Sequence, residues 1–454
     1  MIKTDLAIIG SGPGGYITAI RAAKLGIQTT VIEKEHLGGV CLNWGCMPTK
    51  SFYHLVHTLE EMKKAAAIGL NVDPSIDFTA AVKRKDWVVS TLRKSIDFHF
   101  KKHKIRLVKG RASLTSQKTI ETEDEKISAK NIIIASGSSP ASVAPFEIGK
   151  PNILTNREIL SLKEVPQSLA IVGGGVIGIE FANIFAALGA KVTIIEMLPK
   201  ILANEDVEVS DLVSSSYKKR GMDILTTTTI SQYKKKGSGF ELTTDNGRTL
   251  QAEKILISIG RRPNTSEMGL KEAGVEIDHR GCIKIDSYFK TTADNIYAIG
   301  DVIGGYQLAH VASSEGKTAL ENIRGQKKKM DYLSVPYAVF SSPEIGAVGL
   351  TEQSAKEQGK DIKVGKFPFT HNGKALIDNQ TEGFVKIITD SSTGELLGAH
   401  IIGAHAADLI HQVSIAKSAE LLAEDMASSV FSHPTLSESV LEASEDVFGL
   451  ATHI

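Results

Sequence analysis

The feature that most restricts the fold is a sequence unit that occurs twice. The first copy starts at Leu6 and reads LAIIGSGPGGYITAIRAAKLGIQTTVIEK, and the second starts at Leu169 and reads LAIVGGGVIGIEFANIFAALGAKVTIIEM. Each copy has the pattern of an apolar strand, a glycine turn, an alanine-rich helix stopped by Leu-Gly, and a second apolar strand ending in glutamate. This order is typical of a βαβ unit, so the chain is predicted to contain two α/β domains with parallel sheets.

Both copies carry a GxGxxG turn and, further on, an acidic residue. The glycines are Gly10, Gly12 and Gly15 in the first copy and Gly173, Gly175 and Gly178 in the second. In such a turn the first glycine permits the bend, the second lets a pyrophosphate approach the helix N-terminus, and the third lets helix pack on strand. Glu33 and Glu196 end the second strands, where a carboxylate can accept a hydrogen bond from a ribose 2′-hydroxyl. Two matched copies predict two dinucleotide sites rather than two ordinary glycine turns.

Two of the chain's three cysteines lie in GGVCLNWGCMPTK, just after the first βαβ unit. In an unbroken helix the Cα atoms of Cys41 and Cys46 would be about 8.6 Å apart, whereas a disulfide tolerates less than ~7 Å. A bond between them therefore requires a distorted helix, which Asn43, Gly45 and Pro48 permit. The pattern favours a redox-active pair over two unrelated buried thiols or half of a zinc site. The third cysteine has no Cys or His partner at ligand spacing, so no metal site is predicted.

The position of the cysteine pair distinguishes the two dinucleotides. The pair follows the first βαβ unit, so the dinucleotide bound by that unit should carry a group that exchanges electrons with a disulfide. The flavin of FAD meets this requirement. The second dinucleotide is then a nicotinamide. Glu196 would repel the 2′-phosphate of NADP, and this strand end has no arginine to receive one, so NAD is favoured.

Charge and hydropathy exclude several classes of function. The chain has 52 basic and 52 acidic residues and therefore no net charge at neutral pH that would attract nucleic acid or anionic lipid. Ala170–Ala190 is apolar but contains Glu180 and Asn183, and charged residues interrupt the first apolar stretch, so neither a membrane span nor a signal peptide is predicted. The sparing use of cysteine favours a reducing cytoplasm.

The fold expected from these patterns has two Rossmann-like dinucleotide-binding domains and a C-terminal α+β domain. We place an FAD-binding domain at 1–143, an NAD-binding domain at 144–270, a central segment completing the FAD site at 271–335, and a dimerisation domain at 336–454. NIYAIGDV, starting at Asn295, is a further buried strand that brings Asp301 to its carboxyl end, where open α/β sheets bind ligands.

A possible general base lies near the end of the sequence, in HPTLSE. His433 is a side-chain type that titrates near neutral pH, and Glu438 could orient its imidazole. The alternative is a helix-start box, with Thr435 as N-cap and Glu438 at the third helical position. The two interpretations are compatible.

These residues resemble those of the flavoprotein disulfide reductases over almost the whole chain. GGVCLNWGCMPTK is similar to that family's redox box, HPTLSE to its His-Glu dyad, and YAIGDV to its flavin-ribityl aspartate. Within the family the resemblance is strongest to the branch that oxidises dihydrolipoamide, through Glu196, the Leu-Asn of the box, and Val176 where glutathione-type enzymes have a tyrosine. Mercuric reductases of the same family have a pair of adjacent cysteines at the C-terminus, and the corresponding stretch here, FGLATHI, contains no cysteine.

The resemblance implies roles for individual residues. Cys46 would be the thiol nearest the flavin, Cys41 the one that exchanges with substrate, and His433 the base held by Glu438. Lys50 would lie near flavin N5 and pair with Glu180. The implied cofactor contacts are Gly10, Gly12, Gly15, Glu33, Lys50, Ala112, Asp301 and Ala309 for FAD, and Gly173, Gly175, Gly178, Glu180, Glu196 and Gly260 for NAD.

The resemblance also implies an activity and partners. A homodimer would oxidise protein-bound dihydrolipoamide to lipoamide, with NAD+ as hydride acceptor. Its partner would be a lipoyl domain of a 2-oxo acid dehydrogenase acyltransferase, or the carrier protein of glycine cleavage. Two alternatives remain at this point: an NAD(P)H-dependent reductase of another disulfide, such as glutathione, and a flavoprotein kept as a structural component. Three stretches differ from the residues usual in the family: ASG from Ala135, THNGKA from Thr370 and GAHAADLI from Gly403. These differences concern how the substrate fits more than the chemistry.

Overall fold

The computed structural model describes residues 1–454. Its strands are β1 (Ile2–Ile9), β2 (Thr29–Glu33), β3 (Arg106–Lys109), β4 (Ser113–Ser116), β5 (Thr119–Glu121), β6 (Lys126–Ile134), β7 (Ser138–Pro140), β8 (Ile153–Leu154), β9 (Ser168–Val172), β10 (Lys191–Ile195), β11 (Asp223–Leu225), β12 (Ile230–Lys236), β13 (Gly239–Thr244), β14 (Thr249–Ala252), β15 (Lys254–Ile257), β16 (Arg261–Pro263), β17 (Ile296–Ala298), β18 (Pro336–Val339), β19 (Ile345–Gly349), β20 (Ile362–Pro368), β21 (Phe384–Asp390) and β22 (Leu396–Ile402).

The α-helices are α1 (Pro13–Lys24), α2 (Gly39–Trp44), α3 (Cys46–Lys64), α4 (Phe78–Lys102), α5 (Asn156–Ile159), α6 (Val176–Ala187), α7 (Val207–Lys219), α8 (Ala309–Ile323), α9 (Glu352–Glu357), α10 (Gly373–Ile377), α11 (Ala406–Ser418), α12 (Ala423–Ala427) and α13 (Glu438–Asp446). Short 3₁₀ helices lie at Ala65–Ile68, Gly300–Ile303 and Phe369–His371. None of the helices combines the length and the apolar character that a membrane crossing requires.

The duplicated sequence unit folds twice into the same arrangement. The first copy forms β1, α1 and β2, and the second forms β9, α6 and β10, with β1 parallel to β2 and β9 parallel to β10. Gly12 and Gly175 are the N-caps of α1 and α6, and both have extended backbone, with ψ near −177° and −176°. The βαβ prediction is therefore confirmed in both copies.

One compact unit comprises residues 1–51, 79–141 and 260–330. Its seven-stranded sheet has the order β3-β2-β1-β6-β5-β4, and β17 also pairs with β6. Strands β1, β2, β3, β6 and β17 are parallel, so their carboxyl ends meet at one edge. This edge brings together the glycine turn that follows Ile9, the segment after Ile134 and the segment after Ala298.

The other compact unit comprises residues 52–78, 142–259 and 331–454. It contains a five-stranded parallel sheet, β11-β10-β9-β15-β8, a three-stranded antiparallel sheet, β12-β13-β14, and a five-stranded antiparallel sheet, β18-β19-β22-β21-β20. Helices α11 and α13 pack on the last of these sheets, around a core that includes Val385, Ile401 and Val440. The predicted fold class, two Rossmann-like domains and a C-terminal α+β domain, is confirmed; the domain boundaries stay a prediction.

A buried carboxyl group precedes α7. Glu205 is 8% exposed, and its Oε2 has no hydrogen-bond partner. Burial raises the pKa of Glu205 to about 7; a hydrogen bond from Tyr337 opposes this shift and the charge of Asp206 adds to it. Because the folded pKa lies above the unfolded value, ionisation of Glu205 favours the unfolded chain, and stability falls as the pH rises from about 4.5 to 7.

We therefore expect Glu205→Gln to stabilise the protein at pH 8 but not at pH 5. The neutral amide avoids an ionisation penalty of about 3 kcal/mol for a shift of this size. Thermal unfolding midpoints at the two pH values measure the difference. Glu208→Gln is the control, because Lys366 and Lys386 lower the pKa of Glu208 against the effect of burial, so its loss should destabilise at pH 8. An equal effect of Glu205→Gln at both pH values would contradict the prediction.

Candidate active site

The first glycine turn has two sterically required glycines and one open position. Gly10 has φ +100°, and a Cβ there would lie 2.3 Å from the carbonyl oxygen of Ala135. A Cβ on Gly15 would lie 2.0 Å from the carbonyl oxygen of Gly10. At Gly12 a Cβ would meet no atom within 4 Å. The turn is therefore closed toward the sheet and open at the helix N-terminus.

The second turn repeats this pattern. A Cβ on Gly173 would lie 2.5 Å from the Ser258 carbonyl oxygen, and one on Gly178 would lie 2.0 Å from that of Gly173, whereas Gly175 is open. Neither α1 nor α6 has a side-chain hydrogen bond at its N-cap. A glycine N-cap has no side chain that could bond the first N–H groups of the helix, and the space beside it is open, which fits a dinucleotide pyrophosphate.

Glu33 and Glu196 are fixed beside their turns in the same way. Glu33 Oε2 accepts hydrogen bonds from the backbone N–H of Ser11 at 2.9 Å and from its hydroxyl at 2.7 Å. Glu196 Oε2 accepts from the N–H of Gly174 at 2.6 Å, and Oε1 from that of Leu198 at 2.8 Å. Each carboxylate keeps acceptor capacity at the strand end, where a ribose 2′-hydroxyl would bind.

A cleft lies beside Glu33 at the sheet edge. Gly10, Glu33 and Ala112 line it together with Ser136 and Asn264. The amide of Asn264 donates to the Ser136 carbonyl oxygen at 2.9 Å, and the Ser136 hydroxyl donates to the Asn264 carbonyl oxygen at 2.8 Å. The structure thus places the predicted Ala112 and Glu33 in the lining of one cleft. Ser136 and Asn264 were not predicted, although both lie in stretches that read as glycine turns.

Asp301 lies in the 3₁₀ helix Gly300–Ile303, which follows the carboxyl end of β17, where the sequence predicts it. Its Oδ2 accepts a hydrogen bond from the Ser138 hydroxyl at 2.5 Å and lies 3.7 Å from the guanidinium of Arg261. Arg261 also donates to the hydroxyl and the carbonyl oxygen of Ser138, each at 2.7 Å. Ala309 begins α8, whose N-cap makes no side-chain hydrogen bond. Sequence reasoning missed Ser138 and Arg261, because strands β7 and β16 that hold them pair across more than a hundred residues.

The two cysteines flank a break between two helices. Cys41 lies in α2 and Cys46 begins α3, with Gly45 between them at φ −138° and ψ −116°. A Cβ on Gly45 would lie 3.1 Å from both Cys41 Cα and the Val40 carbonyl oxygen. The expected distortion of the helix is confirmed, and it lies at Gly45.

The two thiols share one electrostatic environment. A hydrogen bond to Cys46, followed by burial, raises the pKa of Cys41, and the positive charge of Lys50 opposes this effect. Burial raises the pKa of Tyr16, and the two cysteines add to it. Lys50 and Tyr16 therefore lie near the pair. The contact between the thiols argues against two unrelated cysteines, and a pair this close can form a disulfide.

His433 and Glu438 form the predicted dyad. His433 Nδ1 lies 2.8 Å from Glu438 Oε1, and Glu438 Oε2 accepts the backbone N–H of Thr435 at 2.7 Å. Burial tends to raise the pKa of Glu438, but the Thr435 N–H and then His433 lower it overall. Only one of the two hydrogen bonds of the alternative helix-start box is present, the one from the Thr435 N–H to Glu438. Helix α13 begins at Glu438, and the Thr435 hydroxyl donates to the Ser432 carbonyl oxygen instead of capping the helix.

For Glu180 and Gly260 the structure gives the surroundings of each residue, and their proposed roles in cofactor binding stay predictions. Glu180 is 5% exposed in α6, and its Oε1 accepts the backbone N–H of Phe340 at 3.1 Å. Gly260 has φ +114°, and a Cβ there would meet no atom within 4 Å. The pairing of Lys50 with Glu180 stays a prediction.

Comparisons with known proteins agree over the whole chain. Residues 4–316 match the family model described as pyridine nucleotide-disulphide oxidoreductase, and residues 335–444 match its dimerisation domain. Dihydrolipoyl dehydrogenase of Bacillus subtilis is 41% identical, over 100% of this chain and 98% of that protein. Dihydrolipoyl dehydrogenase of Geobacillus stearothermophilus is 39% identical over the same shares.

Solved structures agree with this result. The HOCl-induced flavoprotein disulfide reductase RclA from Escherichia coli, in a Cu(II) complex, is 30% identical with a TM-score of 0.90, covering 98% of this chain and 99% of that one. LpdA from Mycobacterium tuberculosis is 26% identical with a TM-score of 0.92, over the same shares. The prediction of an oxidoreductase that uses FAD and NAD is confirmed at the level of the family. With its two glycine turns, its cysteine pair and its dimerisation domain, this chain belongs to the pyridine nucleotide-disulphide oxidoreductase family.

Proposed function

We propose that the chain oxidises dihydrolipoamide to lipoamide, with NAD+ as the final hydride acceptor. The observation that carries this proposal is the contact between the Cys41 and Cys46 thiols across the break at Gly45. Such a pair can cycle between dithiol and disulfide without leaving its site. The relatives that cover the whole chain at about 40% identity are dihydrolipoyl dehydrogenases, which supports this substrate over other disulfides.

The exchange chemistry needs one base and two distinguishable thiols. A substrate thiolate attacks the sulfur of Cys41, the disulfide breaks, and Cys46 leaves as a thiolate. The second substrate thiol then attacks the substrate sulfur of the mixed disulfide and releases Cys41, so lipoamide forms as the pair is reduced. His433 accepts a proton from the substrate dithiol, because an alkyl thiol is mostly protonated at neutral pH.

The two thiols of the reduced pair have distinct proposed roles. The hydrogen bond to Cys46 and burial raise the pKa of the Cys41 thiol, so the reduced pair holds at least one proton near neutral pH. We place the thiolate on Cys46 because the family resemblance makes it the sulfur nearest the flavin. When bound, FAD supplies the electron acceptor for the reduced pair and NAD+ receives the hydride.

The residues around the turns fit these cofactors. For FAD we propose the first glycine turn, Glu33, Ala112 and Asp301, with Ala309 at the start of α8. For NAD we propose the second turn, Glu180, Glu196 and Gly260. The open positions at Gly12 and Gly175 support this assignment, since each leaves room for a pyrophosphate at a helix N-terminus.

The proposed setting is a cytoplasmic homodimer. Its partner is a lipoyl domain of a 2-oxo acid dehydrogenase acyltransferase or of the glycine cleavage carrier protein. The match of residues 335–444 to a dimerisation domain supports the dimer. The His433 side chain is 79% exposed in the single chain, which suits a base that completes a site on a second subunit.

Counting thiols tests the proposal without NAD+. Protein carrying the Cys41–Cys46 disulfide is treated with dihydrolipoamide, alkylated and examined by mass spectrometry. About one equivalent should expose both cysteines and form one lipoamide, whereas reduced glutathione at equal thiol concentration should expose far less. Cys282 is the internal control, since it lies buried and outside the pair. Equal reduction by both reagents would overturn the choice of substrate.

Glu196 is predicted to select NAD over NADP. Glu196→Ala removes the 2′-hydroxyl contact and the repulsion of the 2′-phosphate, so the NADH-to-NADPH ratio of kcat/KM should fall about tenfold. Because Glu196 also accepts the Gly174 and Leu198 N–H groups, Glu196→Gln serves as the matched variant that removes the charge and keeps an acceptor. Unmodified protein that uses both nucleotides equally would contradict this role.

The second candidate is reduction of another disulfide by NADH or NADPH. The likeness to RclA, a flavoprotein disulfide reductase, favours this candidate. The structural match covers 99% of the RclA chain. The two candidates share the cysteine pair and differ in the molecule that reacts with Cys41. Substrate comparison on the same preparation separates them.

A further inference from the structure

A second histidine–glutamate pair lies one helical turn beyond the dyad. Glu442 is 7% exposed, and its Oε1 is hydrogen-bonded to Nδ1 of His453. Its Oε2 accepts the backbone N–H groups of Thr452 at 2.8 Å and His453 at 3.3 Å. The Glu442 carboxylate thus binds the last residues of the segment that follows α13 to this helix.

The two pairs occupy one face of α13. Glu438 and Glu442 are four residues apart, which places their Cβ atoms about 6 Å from each other on a helix. One carboxylate holds His433 and the other holds His453. Two carboxylates at this spacing repel each other, so an uncompensated Glu442 would disturb the charge balance of the dyad.

We propose that His453 is a positioning residue for the base: its imidazolium neutralises Glu442 and so sets the charge around the His433–Glu438 dyad. This inference rests on the proposed function of His433. The hydrogen bond to Glu442 raises the pKa of His453, and Glu438 and Glu445 add to the effect. The charge of His453 in turn helps to lower the pKa of Glu438.

The charges that act on this arrangement come from α13 and the two imidazoles. Glu442, Glu438 and Glu445 act on His453, and His433 and His453 act on Glu438. Neighbouring elements reach the start of the helix through uncharged side chains. Asn372 donates to the Thr435 carbonyl oxygen at 3.0 Å, and Gln412 donates to the Ser437 hydroxyl at 2.9 Å.

The sign of the effect follows from the charges. In His453→Gln the Glu442 carboxylate has no cation, so the net negative charge near His433 increases. This charge favours the protonated imidazole, and the base is lost at a higher pH. The acid limb of the pH–rate profile should therefore move up by about 0.3 pH unit or more, a roughly twofold loss of kcat/KM on that limb.

The double variant distinguishes charge from structure. Glu442→Gln with His453→Gln carries neither charge, so its acid limb should return close to that of the unmodified protein, and Glu442→Gln alone should not move it upward. If His453 only fastens the segment, all three variants would lose activity without moving the limb. That outcome would overturn the proposal, as would a limb that stays displaced in the double variant.

A readout independent of turnover separates this inference from the proposed function. The rate at which diethyl pyrocarbonate modifies His433, followed by mass spectrometry against pH, reports the protonation of its exposed imidazole. The same upward displacement in His453→Gln and the same return in the double variant are expected. If lipoamide turnover is absent but this displacement is found, the electrostatic role stands and the proposed substrate fails; if the modification profile does not move, the role of His453 is rejected.

Discussion

Replacing Cys46 with serine is expected to reduce lipoamide-dependent formation of NADH to background. Serine cannot form the disulfide with Cys41, so no site remains through which a dithiol can deliver its electrons. The fold should hold, because Cys46 begins α3 and a small polar residue is tolerated at a helix start. NADH-dependent reduction of an artificial quinone acceptor should persist, since that reaction does not pass through the pair.

Cys282→Ser is the matched control. Cys282 is 7% exposed, and the charged groups that act on its thiol are Asp278 and Arg280. This variant should retain lipoamide activity, although burial of a hydroxyl group can lower its stability. Lipoamide activity above about one per cent in purified Cys46→Ser would contradict the redox role of the pair.

Replacing His433 with glutamine is expected to lower kcat for dihydrolipoamide oxidation by about 10²- to 10⁴-fold, the usual contribution of a general base. Glutamine keeps a polar group opposite Glu438 but cannot take the proton of the substrate dithiol. The quinone reaction should be nearly unchanged, because it needs no dithiol deprotonation. His279→Gln serves as control, since His279 is also exposed, lies in a turn and is not among the residues proposed for catalysis or cofactor binding.

The same variant tests whether the base comes from a second subunit. Inactive Cys46→Ser chains reassembled with inactive His433→Gln chains should regain roughly a quarter of the unmodified activity. Random pairing makes half of the dimers mixed, and a twofold mixed dimer has one intact site and one doubly altered site. Isolated mixed dimers that bind FAD and lack activity would place His433 in the site of its own chain.

The sequence predicts the nucleotide turns well because their determinants are local. A tight turn, a close helix–strand approach and an acid at a strand end each depend on one residue at fixed spacing, and the structure places Gly10, Gly15 and Glu33 accordingly. The break at Gly45 is local in the same sense. Duplication strengthens the nucleotide-turn patterns, since the second copy repeats the glycine turn and the acid at the strand end.

What the sequence does not reveal depends on long-range pairing. Ser138 contacts Arg261 only because β7 pairs with β16. The hydrophobic pattern of neither strand indicates which strand it pairs with. His453 meets Glu442 because a segment after α13 folds back on the helix. A lone histidine in an exposed stretch carries no signal of such a contact, so both findings required the three-dimensional structure.

The most direct test of the central claim is steady-state turnover of one purified, FAD-loaded preparation on two disulfides with two nucleotides. The enzyme should interconvert dihydrolipoamide and lipoamide with NAD+ and NADH, and it should turn over glutathione disulfide or NADPH at least about a hundredfold less efficiently. Glutathione disulfide reduced faster than lipoamide, with either nucleotide, would contradict the proposed function.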